Sequence, residues 1–451
     1  MQRHLFQIMK RLAAPRFLGG VLLLGICQAA VHAEAAETLL LEQAIVQAVT
    51  NAPSLKAQAS RVDAADAAVA AAHAGYLPTL SLNYGIGQEK ATNSSLRLLE
   101  NADRILARED AAVQLSQPLF DSLRTPRLIR QRRAERETQQ LITGADRQAL
   151  ALEVANVYLF ALFNRDLGHI AAENVADHET IFDLLNRKFA GGVIGVSDLS
   201  LTESRLYRAR AQEALARREE ANALTSLERL TGTPPAVLDW PVLPEDLAAT
   251  LPATLAEGLE RLWSRNPGLA AASARHRASR AAIGVSTAEM LPRVSLDGEI
   301  DYSDNASGIN TYDNEQRVML RMRWTPFDGG ATLMQRRQRT AEAAASRWLV
   351  NDARIRLREQ YALAYETFVN SGPILANLET SAQNSIAAFD QVQAQFRVGK
   401  RSLFDLLDIK NELFLTRRQL IEVRFQRLQA WYALLSYDNS LVASTQQSSL
   451  K

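Results

Sequence analysis

Two sets of residues in this chain have the types and spacing to do chemistry, and both depend on charge. In the first, Asp297, Glu299 and Asp301 occupy every second position of one segment, and Arg321 and Arg323 alternate positions of another. Val294, Leu296, Ile300 and Tyr302, and likewise Leu320, Met322 and Trp324, fill the positions between. An extended backbone sends successive side chains to opposite faces, so each segment carries one wet face and one apolar face. The second set is Ser402-Leu-Phe-Asp405, with Asp408 one helical turn further on. Serine followed three residues later by an acid is a capping-box pattern, and an acid in a first turn favours the helix dipole. Copies of the same two carboxylates around a constriction would instead attract cations and repel anions, and close like charges raise one another's pKa. From the residues alone both readings stand.

The other reactive residue types assemble into no site. The six histidines are scattered without metal-ligand spacing, and the glycine-rich GGVIG at 191–195 does not follow a strand, so it cradles no phosphate. No serine or cysteine has the setting of a nucleophile. No cofactor and no enzymatic activity are expected, and energy for any transport must come from a partner. The basic cluster Arg124, Arg127, Arg130, Arg132 and Arg133 is interrupted by Glu135 and Glu137 and recurs as Arg336, Arg337 and Arg339. It reads as a solvated or headgroup-level helix face, not as a nucleic-acid interface.

The elements that must position these residues come in two copies. Pro53 and Pro78 are answered by Pro267 and Pro292, and YLPTLSL (76–82) by MLPRVSL (290–296). From PLFD (118–121) and TPFD (325–328) onward a constant shift of 207 carries Tyr158 onto Tyr365 and FAGGVIGVSDL (189–199) onto FRVGKRSLFDL (396–406). One unit of helix, two strands, very long helix and helix is therefore duplicated in tandem. The first repeat covers 34–245, with strands at about 79–88 and 111–121 and long helices at about 123–189 and 198–230. The second covers 246–440, with strands at about 293–303 and 316–327 and helices at about 330–396 and 403–437. A short polar tail, 441–451, follows. Pro53 is expected to kink or break the first helix. Polar segments at 88–110 and 304–315 join the strands, and a proline-rich connector at 231–254 joins the halves.

A helix of such length would run on the order of 100 Å. Its distal part repeats in sevens through Leu375, Leu378, Ala382, Ser385, Phe389, Val392 and Phe396, a coiled-coil seam. The partner helix repeats likewise through Leu407, Phe414, Ile421, Leu428 and Leu435. The matching seam of the first half contains His178 as a local weak point. Strands of about ten residues suit a tilted crossing of a bilayer, with apolar residues to lipid, charges to a wet interior and Tyr302 and Trp324 near the interfaces. Four strands cannot close a barrel, so membrane residence demands an oligomer.

Residues 1–33 read as a secretory signal peptide: Arg3, Lys10, Arg11 and Arg16 precede a short apolar run, and Val31-His32-Ala33 offers the cleavage site. The single cysteine, Cys27, lies in that leader, so the mature chain has no disulfide. The chain carries 51 basic and 50 acidic residues; removing the leader's four basic residues leaves a net charge of roughly −3. No mature segment is apolar enough for a transmembrane α-helix.

Tandem duplication, four strands, very long helical hairpins and the motif VGKRSLFDLLDIKNELF (398–414) together resemble the TolC-like outer-membrane channel family, across essentially the whole mature chain. The DLLD…NELF wording leans towards members serving type I protein secretion. The resemblance implies a homotrimer: a twelve-stranded outer-membrane β-barrel, in contact with lipid, on a mainly α-helical coiled-coil tunnel crossing the periplasm of a Gram-negative bacterium. Its implied partners are a periplasmic adaptor protein and an inner-membrane ABC exporter or other pump. By the same resemblance Arg401, Asp198 and Ser197 form the periplasmic gate, and Asp405 and Asp408 the cation-selective constriction. The family's gate tyrosine falls on Phe396, so its hydroxyl bond is absent. Turn residues Gly191, Gly192, Gly195, Val398 and Gly399 would meet the adaptor, although a turn glycine also has a purely conformational reading. Three functions follow: a type I secretion channel, a multidrug or small-molecule efflux duct, and a periplasmic coiled-coil scaffold without a pore.

Overall fold

The computed structural model describes residues 39–92, 105–234, 237–243 and 251–448. The proposed leader and its cleavage site lie outside the described residues, as do 449–451 of the tail. The first repeat begins with α1 (Leu41–Asn51) and α2 (Pro53–His73), followed by β1 (Thr79–Lys90), β2 (Ile105–Phe120), α3 (Arg124–Ala190) and α4 (Val196–Thr231). The second runs α5 (Leu255–Arg265), α6 (Pro267–Glu289), β3 (Arg293–Asp304), β4 (Tyr312–Arg323), α7 (Ala331–Arg397) and α8 (Leu403–Tyr437), and α9 (Leu441–Ser448) is the last described element. Pro53 and Pro267 each open a helix, where the missing N–H costs nothing. The expected kink at Pro53 is thus a clean break between two helices.

The strands form one antiparallel sheet in the order β1-β2-β3-β4. Strand β2 starts at Ile105 and β4 at Tyr312, inside the segments read from sequence as polar connections. The reason is that Arg108, Asp110, Asp313 and Glu315 continue the wet-face alternation, and their charge disguises the strand. Register places Ser81, Gln114, Glu299 and Arg317 in one row, and Leu82, Val113 and Ile300 in the neighbouring row of the other face. A bulge between Pro118 and Phe120 brings Phe120 opposite Val294 on the apolar side. On the polar face Arg317 bridges Asp301 at 2.7 Å and Glu299 and Glu315 at 3.3 Å, while Arg321 meets Asp297 at 3.2 Å. Asp297 also accepts the Ser116 hydroxyl at 2.6 Å. The apolar face is bare: Leu82, Ile86 and Val318 each remain more than 70 % exposed.

Below the sheet, α2 packs on α3, α3 on α6 and α6 on α7, in the same lateral order as the strands above. Helices α3 and α7 have 67 residues each, about 100 Å, and return as α4 and α8. At both strand-to-helix junctions two successive residues take left-handed backbone: Ser122 and Leu123 in the first repeat, Gly329 and Gly330 in the second. The first pair holds that conformation because Asp121 accepts the Thr125 N–H at 2.6 Å and the Ser122 hydroxyl donates to Pro292 O at 2.5 Å. Asp328 takes the Thr332 N–H in the same way.

The main core lies at mid-height of the long helices, where α1 inserts Leu41, Ala44 and Ile45 among Val154, Tyr158, Leu162, Leu227, Trp431 and Leu434. Tyr158 is fully buried, and its hydroxyl lies 2.8 Å from Leu39 O and 2.9 Å from Asp239 O while accepting the Asp239 N–H at 3.0 Å. Its repeat mate Tyr365 reaches Ala253 O at 3.2 Å and Pro252 O at 3.3 Å. In both halves a mid-helix tyrosine pins the irregular chain beside the bundle. Tyr158→Phe removes the donor to the buried Leu39 O and the acceptor of the Asp239 N–H and should cost about 1–3 kcal/mol, with Tyr365→Phe costing less. Thermal denaturation of the two purified variants checks the order; equal midpoints would contradict it.

Candidate functional site

The ends of the two hairpins are built alike. Helix α3 ends at Ala190; Gly192 takes φ +69°, and the Val193 N–H returns to Lys188 O at 2.9 Å. Helix α7 ends at Arg397; Gly399 takes φ +78°, and the Lys400 N–H returns to Gln395 O at 2.9 Å. This six-to-one closure with a left-handed residue inside it is what selects glycine at 192 and 399. Gly191 and Gly195 have ordinary negative φ, so backbone conformation does not require them. Val193, Val196 and Val398 are exposed at the turns.

On the far side of each turn a helix begins. Ser402 caps α8: its hydroxyl accepts the Asp405 N–H at 3.2 Å while Asp405 Oδ2 accepts the Ser402 N–H at 3.1 Å. The Ser402 backbone N–H first, and its side-chain hydroxyl second, hold the Asp405 carboxyl below the usual range, and nearby Arg401 adds to the effect. Asp408 lies one turn on, on the same helix face, with its side chain 76 % exposed and Arg205 of α4 at 3.9 Å. The two carboxylates share a solvated face, while Leu406 and Leu407 beside them are buried. Such a face concentrates cations.

Arg401 donates to Gln395 Oε1 at 3.0 Å and lies 4.0 Å from Asp405. Ser197 and Asp198 sit in the first turn of α4, and among the described residues no ion pair joins Asp198 to Arg401. An Arg401–Asp198 bridge is therefore absent within one chain, because the guanidinium finds Asp405 in the first turn of α8 and the end of α7 first. Phe396 is buried with Ile181, Leu185, Phe389 and Leu407, and Lys188 lies 4.8 Å from its ring centroid. In place of a hydroxyl, this position supplies apolar and cation–π contact.

Sequence reading missed a buried ionic cluster further up the hairpins. Lys410 is almost fully buried, pairs with Asp177 and lies 4.9 Å from the Phe389 ring centroid. Beside it, burial pushes His178 down to about 4, and the positive charges of Lys410 and Arg205 act in the same direction against Asp177. Arg417 reaches Glu173 at 2.5 Å one layer above. The signal was spacing: Lys410 falls three residues after Leu407 and four before Phe414, on the buried stripe of α8.

With this geometry in place, comparison with known proteins fixes the family. Residues 44–233 and 258–440 match Outer membrane efflux protein, one stretch in each repeat. The chain belongs to the outer membrane efflux protein family. It is 26 % identical to the alkaline protease secretion protein AprF of Pseudomonas aeruginosa, over 86 % of this chain and 82 % of that protein. The outer membrane protein TolC of Vibrio cholerae is 26 % identical over 92 % of each chain. The crystal structure of the outer membrane channel CmeC of Campylobacter jejuni superposes with a TM-score of 0.75, at 13 % identity, over 91 % of this chain and 89 % of that one. Helical hairpins below a shared barrel, the fold class read from the sequence, are thus the fold of this family of channels, which are transport proteins rather than enzymes.

His178 supplies a pH test. Its folded pKa lies below the unfolded value of about 6.5, so the unfolded chain binds more protons between those limits. Stability is fully present above about pH 6.5 and falls as pH drops towards 4, by at most about 3 kcal/mol. Denaturation midpoints measured from pH 7.5 to 4.5 should show this fall, and His178→Gln should flatten it. An unchanged slope in the variant would remove His178 from the account.

Proposed function

We propose that three copies of this chain close a twelve-stranded barrel in the outer membrane and a continuous helical tunnel beneath it. Through this duct, substrate from an inner-membrane transporter passes out of the cell. The observation that carries the reading is the open sheet. Among the described residues β1 and β4 have no partner on their outer edges, the apolar face is exposed, and the opposite face is lined with paired charges. A soluble scaffold has no use for that combination, whereas lipid on one side and water on the other requires it. The N-terminal leader is the export signal in this reading.

The preferred substrate is a protein exported by type I secretion, with an ABC exporter and a periplasmic adaptor as partners. Support comes from the motif at 398–414 and from similarity to proteins named for secretion: AprF, and the proteases secretion protein PrtF of Dickeya chrysanthemi, 28 % identical over 86 % of this chain. Deleting the gene should remove one or a few large proteins from the medium and leave drug and dye tolerance intact. Broad drug sensitivity with an unchanged secretome would instead make this an efflux duct.

At the tunnel end, Asp405 and Asp408 from three chains form the cation-selective constriction. Arg401 meets Asp198 and Ser197 across the subunit boundary, with Phe396 packing behind them. The turns at Gly191, Gly192 and Gly195 and at Val398 and Gly399, with their exposed valines, receive the adaptor. In planar bilayers Asp405→Asn with Asp408→Asn should cut cation-over-anion permeability several-fold. Arg401→Ser should raise conductance by loosening the closed end. Unaltered reversal potentials in the double variant would move the selectivity filter elsewhere.

A further inference from the structure

The face of α3 and α6 that points away from the wet side of the sheet carries a feature that the duct does not use. Arg124 opens α3 beside Arg293, Arg321 and Arg323 on the charged side, and it reaches Glu289, the last residue of α6, at 3.6 Å. Nine residues are two and a half helical turns, so Arg133 points half a turn away from Arg124, and Arg280 half a turn away from Glu289. There, Arg130 and Arg133 of α3 face Arg277 and Arg280 of α6 across a cleft of about 480 Å³. Glu137 is the one acid lining it, and it is taken by Arg277 at 2.6 Å. Arg133 also touches His73 at 3.4 Å. Among the described residues no carboxylate lies within ion-pair distance of Arg130, Arg133 or Arg280. Three guanidinium groups thus converge on one cleft without a counter-charge.

The duplication shows that the fold does not demand this. The shift that carries Pro53 onto Pro267 puts Asp63 and Asp66 where the second half has Arg277 and Arg280. On α2, Asp66 neutralises Arg136 of α3 at 2.5 Å. The same two helix positions are acidic in one repeat and basic in the other.

The level of the cleft identifies its occupant. At 1.5 Å per residue the four arginines lie roughly 9 to 18 Å along α3 and α6 from the ends adjoining the strands. Exposed Tyr76, Leu77, Trp324 and Phe327 mark the boundary above them, as interfacial aromatic girdles do. On α3, whose first residues adjoin the strands, Arg130 and Arg133 lean back toward the membrane end and carry their guanidinium groups up towards the phosphate layer, while Arg277 and Arg280 of the oppositely running α6 close the cleft from below. Arginine forks bind phosphate oxygens in pairs, and basic pockets between helices at this depth take anionic headgroups. We infer that the α3–α6 cleft is a binding site for the phosphate headgroup of an anionic phospholipid in the periplasmic leaflet of the outer membrane, one per chain. The inference rests on the trimeric barrel proposed above.

The test is native mass spectrometry of the delipidated full-length assembly. It is titrated with phosphatidylglycerol or with phosphatidylcholine of the same acyl chains. Phosphatidylglycerol should be retained up to one molecule per chain, roughly tenfold or more tightly than phosphatidylcholine. Arg130→Gln, Arg133→Gln and Arg280→Gln combined should bring it down to the phosphatidylcholine level, and the three corresponding lysine substitutions should restore part of the preference. Equal retention of the two lipids, or full retention by the glutamine variant, would overturn the site. Displacement of the lipid by millimolar inorganic phosphate would make it a free-anion site and sink the lipid assignment. The same spectra report subunit number, so failure of the trimer would be seen separately from failure of lipid binding.

Discussion

Unpaired backbone is the constraint on which this molecule turns. In hydrocarbon each free N–H or C=O costs several kcal/mol, and a four-stranded sheet has two edges of them. The helical layer beneath repeats the lateral order of the strands, so α2 and α7 stand at the open ends below β1 and β4. Sheet and helices therefore present their unfinished edges on the same two sides. Exposed Trp348, Leu349, Ile355 and Leu363 on α7 belong to that pattern: one element offers a long apolar stripe that no described residue of its own chain covers. The charged face follows from the same demand, since Arg317 and Arg321 pair with acids on neighbouring positions and keep a wet interior internally compensated.

Much of this was legible in the residues because duplication prints the architecture twice. Alternation through Val294–Tyr302 and heptads through Leu375–Phe396 carry period and length, and those two quantities suffice to separate strand from long helix. What escaped was whatever depends on a second element. The early start of β2 was hidden because Arg108 and Asp110 look like loop until Glu89 of β1 is set beside Arg108 at 2.5 Å. The bulge at Phe120 is set by pairing with β3, and no spacing within β2 announces it. Lys410 reads as an ordinary surface lysine unless its place on the buried stripe is counted, and Asp177 lies far from it in sequence. Of the residues named for the gate, the chain alone joins Arg401 to Asp405 and Gln395, contacts that depend on the turn between α7 and α8.

Comparison of the two repeats separates what the backbone needs from what the surface is free to change. The left-handed pairs at Ser122-Leu123 and Gly329-Gly330, the aspartates that follow PLF and TPF, the pinning tyrosines and the six-to-one turn closures all recur. These are devices that end, start or anchor a helix. The left-handed pair persists even where its residues are not glycine, which shows that the junction geometry is imposed by Asp121 and Ser122 contacts rather than by local freedom. Charges on the helix faces follow no such rule, and the exchange of Asp63 and Asp66 for Arg277 and Arg280 is the clearest case.

That exchange fixes the symmetry of the assembled object. Two identical repeats per chain would give a ring of three chains a six-fold exterior, with every groove between neighbouring hairpins equivalent. Because α2 carries Asp63 and Asp66 where α6 carries Arg277 and Arg280, the two repeats of one chain differ in surface charge although they share a backbone. A cylinder that is six-fold in backbone is three-fold in electrostatics. A partner that read charge rather than shape would therefore meet two kinds of surface in each chain, not one surface repeated twice.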